Sequence, residues 1–205
     1  MNLVNLLISL GLLLIAMSVH EFSHGWVAYK LGDNTAKYSG RLTLNPLAHV
    51  DPIGTVLLPL IVFIATQGRF VFGAAKPVPI NYWALKNPRQ DMIWIGLSGP
   101  LANFVFALAL SLLLRISFLP LVLHFIIKNL IFINVILGVF NLIPIPPLDG
   151  SRVLMGVLPK NLSSGYAMVE PFGFMIVMGL VVLGALDIII WPMVNFILRL
   201  LIPNF

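Results

Sequence analysis

The sequence contains no cysteine. Disulfides and thiolate metal ligands are therefore excluded. Charge is nearly as scarce: 9% of the 205 residues are Asp, Glu, Lys or Arg, against about a quarter in a soluble domain. The chain lacks the polar surface that a soluble domain of this length must expose. It also lacks any basic cluster interleaved with aromatics. The formal net charge of +5 thus marks no nucleic-acid surface, and no nucleic-acid partner is expected. The amino-terminal MNLVN has no positive n-region of a signal peptide, so the apolar block behind it is expected to remain as a span. What the chain does have is apolar. Hydrophobic residues make up 60% of it, in long blocks, and the mean hydropathy is +1.03. This composition belongs to an integral membrane protein with a handful of spans and short loops.

Residues 3 to about 30 read as one long helix with Gly32 as its stop signal. DNTAKYSGRLTLNPLAHVDP is a polar loop punctuated by Gly, Asn and Pro. Residues 53–66 are apolar but short of the ~20 that a full crossing takes. QGRFVFGAAKPVPIN alternates and then meets Gly and Pro, a poor helix that suits an extended backbone. Residues 91–118 form a long span. Residues 129 to about 144 are apolar and break at NLIPIPPLDG, and residues 172–190 form another span. WPMVNFILRLLIPNF closes the sequence as a short interfacial helix. The expected fold is all-α and multi-pass, a bundle of about four to six transmembrane helices with a re-entrant extended loop. One domain, residues 1–205, accounts for the whole sequence.

Eight of the twelve basic residues fall in three segments: Lys30, Lys37 and Arg41; Lys76, Lys86 and Arg89; Arg152 and Lys160. The positive-inside rule puts all three on the cytoplasmic side. The chain between residues 53 and 79 must then leave and re-enter on that side, as a short helix with an extended return.

Chemistry enters with His20-Glu21-Phe22-Ser23-His24. On a helix, positions i and i+4 share a face, so the two imidazoles can grip one metal. Glu21 beside them can act as general base on water. Ionisable groups at the end of a span are costly unless partnered or functional. The bland alternatives are a polar pair at a helix interface or the frayed end of a span. A catalytic zinc takes a third protein ligand. Asp33, Asp51 and Asp91 sit in loops beside basic residues and read as solvated loop charge. Glu170 reads as a span boundary. Asp187 lies in the last apolar block, buried, paired or near the interface. Asp149 follows the helix-breaking prolines of NLIPIPPL, and Gly150 lets the chain turn close to another element, which makes Asp149 the best third ligand. Its alternative is an N-cap for a helix starting near Ser151. His49 reads as a loop hydrogen-bonder and His124 as interfacial. Asn103 either faces the site or packs helices.

HEFSH in a span, with NLIPIPPLDG much later, resembles the site-2 protease family of intramembrane metalloproteases. SGPLANF, RLTLNPLAHVDPIGT and AKPVPIN extend the resemblance over nearly the whole chain, toward the compact branch without PDZ or CBS domains. The resemblance implies His20, His24 and Asp149 as ligands of one zinc per chain, Glu21 as catalytic base, and Asn141 as a catalytic residue in substrate or oxyanion contact. It implies a zinc metalloendopeptidase that hydrolyses peptide bonds within or near transmembrane segments of membrane-protein substrates. The implied partners are a transmembrane protein or peptide substrate and the lipid bilayer. Lys30 lies about 9 Å beyond His24 at helical rise, so the site is expected toward the cytoplasmic side of a prokaryotic plasma membrane. Two other classes compete. A divalent-metal transporter also carries His and Asp in spans, but one closed three-ligand site offers no second relay. A catalytically inactive membrane adaptor would have no use for an intact Glu21.

Overall fold

Good helix formers and the absence of proline make Leu3–Lys30 a single helix, α1, in the computed structural model, which describes residues 3–65, 73, 75–116 and 118–202. Gly32 ends the helix at φ +114°, and the Asp33 N–H turns back to Ala28 O at 2.9 Å. A short helix, α2 (Thr35–Tyr38), and a 3-10 turn at Pro46–His49 follow. The short apolar element is helical, a π-helical stretch Pro52–Leu57 running into α3 (Leu58–Ala65).

Of the expected extended return, residues 66–72 and 74 lie outside the described residues. Residues 75–81 carry no regular structure and run extended. The sequence enforces this: Pro77 and Pro79 fix their own φ and drive Lys76 and Val78 out of the helical region. Three hydrogen bonds hold the segment down. Lys76 N–H donates to His49 O at 2.9 Å, Val78 N–H to Glu21 Oε2 at 2.8 Å, and Asn81 N–H to Asp33 Oδ2 at 2.7 Å.

The centre of the bundle is α4 (Pro88–Leu113), which packs against α1, against α5 (Leu121–Asn141) and against α6 (Asp149–Val157). It runs antiparallel to α1, since Ile95 meets His24 and Asn103 meets Ala16. Then come α7 (Lys160–Ala167), a 3-10 turn at Glu170–Phe172, α8 (Gly173–Val182) and α9 (Asp187–Leu201). The main core runs along α4, α5 and α9, with Ile131, Val135, Val194 and Leu198 fully enclosed. Outward faces are apolar too: Leu7, Val105, Val122 and Leu200 are exposed. Helices apolar on all sides belong in lipid. Among the described residues, four stretches are long and apolar enough to cross a membrane: Val4–Lys30, Pro88–Leu113, Leu121–Asn141 and Lys160–Val182. Among the described residues there is no strand. The all-α multi-pass architecture is therefore as expected.

Details differ from expectation. The fourth span begins at Lys160, and the chain turns at Gly184 (φ +67°) before α9. Both flanks of that turn are apolar, so hydropathy runs through it. The closing helix starts at Asp187 and buries Ile190, Val194 and Leu198 in the core instead of lying apart from it. Two acids expected in solvated loops are buried, and one of them, Asp91, lies in the first turn of α4. Asp33 accepts from Thr35 N at 2.9 Å and from Asn81 N, and Asp91 accepts from Asn87 N at 2.9 Å. Half-buried Asp51 accepts from Gly54 N at 2.6 Å. Each of these carboxylates satisfies backbone donors at a turn or helix start. Lys30, Arg89 and Arg152 gather at one end of the bundle, where Arg89 donates to the last carbonyls of α6, including Gly156 O at 2.9 Å.

Candidate metal centre

His20 and His24 stand one turn apart on α1, both buried. Their Nε2 atoms are 3.0 Å apart. Asp149 Oδ2 lies 2.9 Å from His20 Nε2 and 3.3 Å from His24 Nε2. The proline-rich break delivers this carboxylate. Leu142–Leu148 is too tight for helix, and a Cβ on Gly150 would lie 2.2 Å from Leu142 O, so only glycine lets α6 start against the end of α5. Leu148 is the N-cap of α6, with no side-chain capping bond. Asp149 thus turns to the imidazoles, and the capping alternative is set aside. Gly99 of α4 leaves the imidazoles their room: a Cβ there would sit 2.5 Å from His24 Nε2 and 2.6 Å from His20 Nε2.

The protons on these rings can be placed from their partners. His24 Nδ1 is 2.7 Å from Ile95 O, a carbonyl that can only accept, so Nδ1 carries the proton. Pro100 withholds the N–H that would bond Gly96 O, loosening α4 beside that carbonyl. Ser98 Oγ donates to Ile95 O as well, at 2.7 Å. For His20 the chain is longer. Asn134 Nδ2 donates to Leu130 O at 2.8 Å, which leaves its Oδ1 to accept from Asn103 Nδ2 at 2.7 Å. Asn103 Nδ2 also donates to Ala16 O at 3.2 Å, so Asn103 Oδ1 faces His20 Nδ1, at 2.6 Å, and takes its proton. In the neutral rings both Nε2 atoms therefore present lone pairs.

With both rings neutral, two imidazole lone pairs and the Asp149 Oδ2 atom, which has no assigned hydrogen-bond partner, converge on one point. Three acceptors at this spacing repel one another unless a cation lies among them. Their ligand atoms fall within 4.8 Å of one another, and His₂Asp with Nδ1–H groups anchored on oxygen is a donor set that suits zinc with one position left open. The residues present fit the metal.

Glu21 is half-buried beside the group and does not join it; its Oε2 accepts from Val78 N. Asn141, the last residue of α5, directs Nδ2 to Leu137 O of its own helix at 3.0 Å. Asn103 both packs α1 against α4 and α5 and touches the site. Asn134, Ser98 and Gly99 were missed in the sequence; the signal for Asn134 was a polar residue inside an apolar span. His49 is a buried loop residue, with Nε2 on Thr43 O at 2.9 Å. Near the mouth, Tyr82 lies under the Arg152 guanidinium at 5.9 Å; burial pushes its phenol up, and Arg152 opposes that. Arg152 also pairs with Glu170 at 2.5 Å, so Glu170 is partnered as well as terminal.

The family described as peptidase family M50 matches residues 8–125 and 119–183. A Bacillus subtilis (strain 168) protein, provisionally named zinc metalloprotease YwhC, is 35% identical over 192 residues, covering 89% of this chain and 84% of the relative. The provisionally named zinc metalloprotease Rip2 of Mycolicibacterium smegmatis is 34% identical over 178 residues, 85% of this chain and 66% of its own. Zinc metalloprotease MJ0392 of Methanocaldococcus jannaschii is 25% identical over 150 residues, 73% of this chain and 34% of its own. No solved structure matches significantly.

Proposed function

Because the chain belongs to peptidase family M50, we propose that it is an intramembrane zinc metalloprotease with His20, His24 and Asp149 as its metal ligands and Glu21 as its general base. The observation that carries this reading is the convergence of His20 Nε2, His24 Nε2 and Asp149 Oδ2 within 3.3 Å of one another. Zinc bound there supplies Lewis acidity to water and to the scissile carbonyl.

The chain's own residues do the rest. His20 and His24 are held in one tautomer by Asn103 and Ile95. Glu21 Oε2 is engaged by Val78, so Oε1 is the oxygen left to take the proton of the attacking water and pass it to the leaving amine. Asn141 has a second N–H beyond the one on Leu137 O. Directed at the developing oxyanion, it would contribute about 3 kcal/mol.

Substrates on this reading are transmembrane segments, cut within or near the bilayer. A substrate helix must unwind to be cut, and its freed backbone groups then need partners. Residues 75–80, the continuous described part of the stretch expected over 70–80, would supply them as the edge for an added strand. The site lies toward the end of the bundle that carries Lys30, Arg89 and Arg152, an end that the positive-inside rule would assign to the cytoplasmic face of a prokaryotic plasma membrane. Residues 1–205 act as one metalloprotease domain. An ion path would need successive sites; the described residues hold one group of this kind.

The deciding experiment pairs metal analysis with cleavage of a single-span substrate. Glu21→Gln should keep about one zinc per chain and lose proteolysis. Near-normal cleavage by that variant removes Glu21 from the reaction.

A further inference from the structure

We propose that the backbone amide of Val78 is a positioning group for Glu21, and that the sequence Pro77-Val78-Pro79 exists to present that one N–H. The inference rests on Glu21 acting as the general base.

In the triplet, the two prolines have no N–H, so Val78 carries the only donor. It points at Glu21 Oε2, at 2.8 Å. The donor cannot swing away. Pro77 and Pro79 stiffen it from either side, and Lys76 N–H on His49 O and Asn81 N–H on Asp33 Oδ2 pin the flanks. The Val78 side chain is buried. It rests on Gly25, one turn beyond Glu21 on α1, where an added Cβ would lie 3.1 Å from Val78 Cγ1. Glycine at 25 thus sets how closely the segment approaches the carboxylate.

The consequence is chemical. A glutamate has three side-chain torsions and two equivalent oxygens. A fixed N–H on Oε2 removes the rotational freedom and dedicates Oε1 to the water. Nothing else on α1 does this, since the neighbouring imidazoles are committed to the metal group. The extended segment therefore serves the catalytic base through its backbone, and the identity of the Val78 side chain is secondary to the proline on each side.

The test is an amide-to-ester exchange in the full chain, Val78→2-hydroxyisovalerate, which deletes the N–H and keeps the side chain. The control is the same exchange at Lys76, which deletes a neighbouring bond of the same segment that does not touch Glu21. The Val78 ester should lower kcat roughly 10- to 100-fold, the cost of a misplaced catalytic group, with KM, zinc content and thermal stability matching the Lys76 ester. A second readout needs no turnover: in zinc-free protein, the Glu21 carboxylate stretch, isolated as the infrared difference from Glu21→Gln, should shift in the Val78 ester and stay put in the Lys76 ester. Equal kcat in the two esters, or an unmoved carboxylate band, overturns the proposal. If the Val78 ester does not fold, Gly25→Ala replaces it; kcat should fall with zinc retained, and wild-type kcat there overturns the proposal equally. The underlying reading fails separately, through an active Glu21→Gln.

Discussion

Asn103 Oδ1 lies 2.6 Å from His20 Nδ1 and accepts its proton, while the Asn103 amide holds Ala16 O and Asn134. One side chain in the middle of α4 thus fixes the tautomer of His20 and ties three helices together. The two roles can be separated.

Asn103→Ala should weaken zinc binding about 10- to 100-fold, the usual effect of removing a ligand's outer partner. Competition against a chelator of known affinity measures it. Unchanged affinity in a folded variant would reduce Asn103 to a packing residue.

Asp149→Ala should lose zinc together with activity. Its effect on unfolding of the zinc-free protein should be small, because the side chain caps nothing and the ~1 kcal/mol of an N-cap is not at stake. Full zinc occupancy in this variant would end its role as a ligand.

Gly99→Ala reverses the ordinary sign. Replacing a helical glycine by alanine normally stabilises by up to ~1 kcal/mol. Here the new Cβ would meet His24 Nε2 at 2.5 Å. The variant should lose stability instead of gaining it and bind zinc poorly, because the rings must shift to make room. Stability in detergent and metal content, measured on the same sample, check both halves.

Asp33→Ala should cost about 1–3 kcal/mol, the penalty for leaving buried donors unsatisfied. It frees Thr35 N–H and Asn81 N–H at once. Hydrogen exchange should quicken at Val78 as well, because Asn81 anchors the same segment. Unaltered exchange there would mean that the segment is held without Asp33.

Ala75→Cys tests the strand-addition reading of substrate binding. It should resist membrane-impermeant thiol reagents applied from outside and crosslink to a cysteine near the substrate's cleavage site. Rapid labelling without a crosslink would leave the catalytic assignment standing and its substrate-binding account empty.

Much of the site was legible because metal chemistry uses few residue types at fixed spacing. With no cysteine, His20, His24 and the carboxylate that follows the proline break, Asp149, leave little choice for the candidate site. The all-α spans were legible from hydropathy, but their ends were not where composition does not change, as at Gly184. The buried acids were misread for a different reason. Asp33 and Asp91 look like loop charges because what pays for their burial is backbone N–H, which every residue has and no sequence pattern displays. Asn134 was legible in principle, as an amide amid isoleucine and valine, but its partner lies 31 residues away on another helix.

The two prolines around Val78 have one more effect. Lys76 and Val78 direct their N–H groups inward. Alternation along an extended chain turns residues 77 and 79 the other way, and prolines there have no donor to show. At residues 77 and 79 that edge offers carbonyl oxygens alone. A second copy of the same edge would meet it acceptor to acceptor. An edge that shows no donor at residues 77 and 79 gives two copies of this stretch no matched pairing there, and it ends any strand added by a substrate before Pro77.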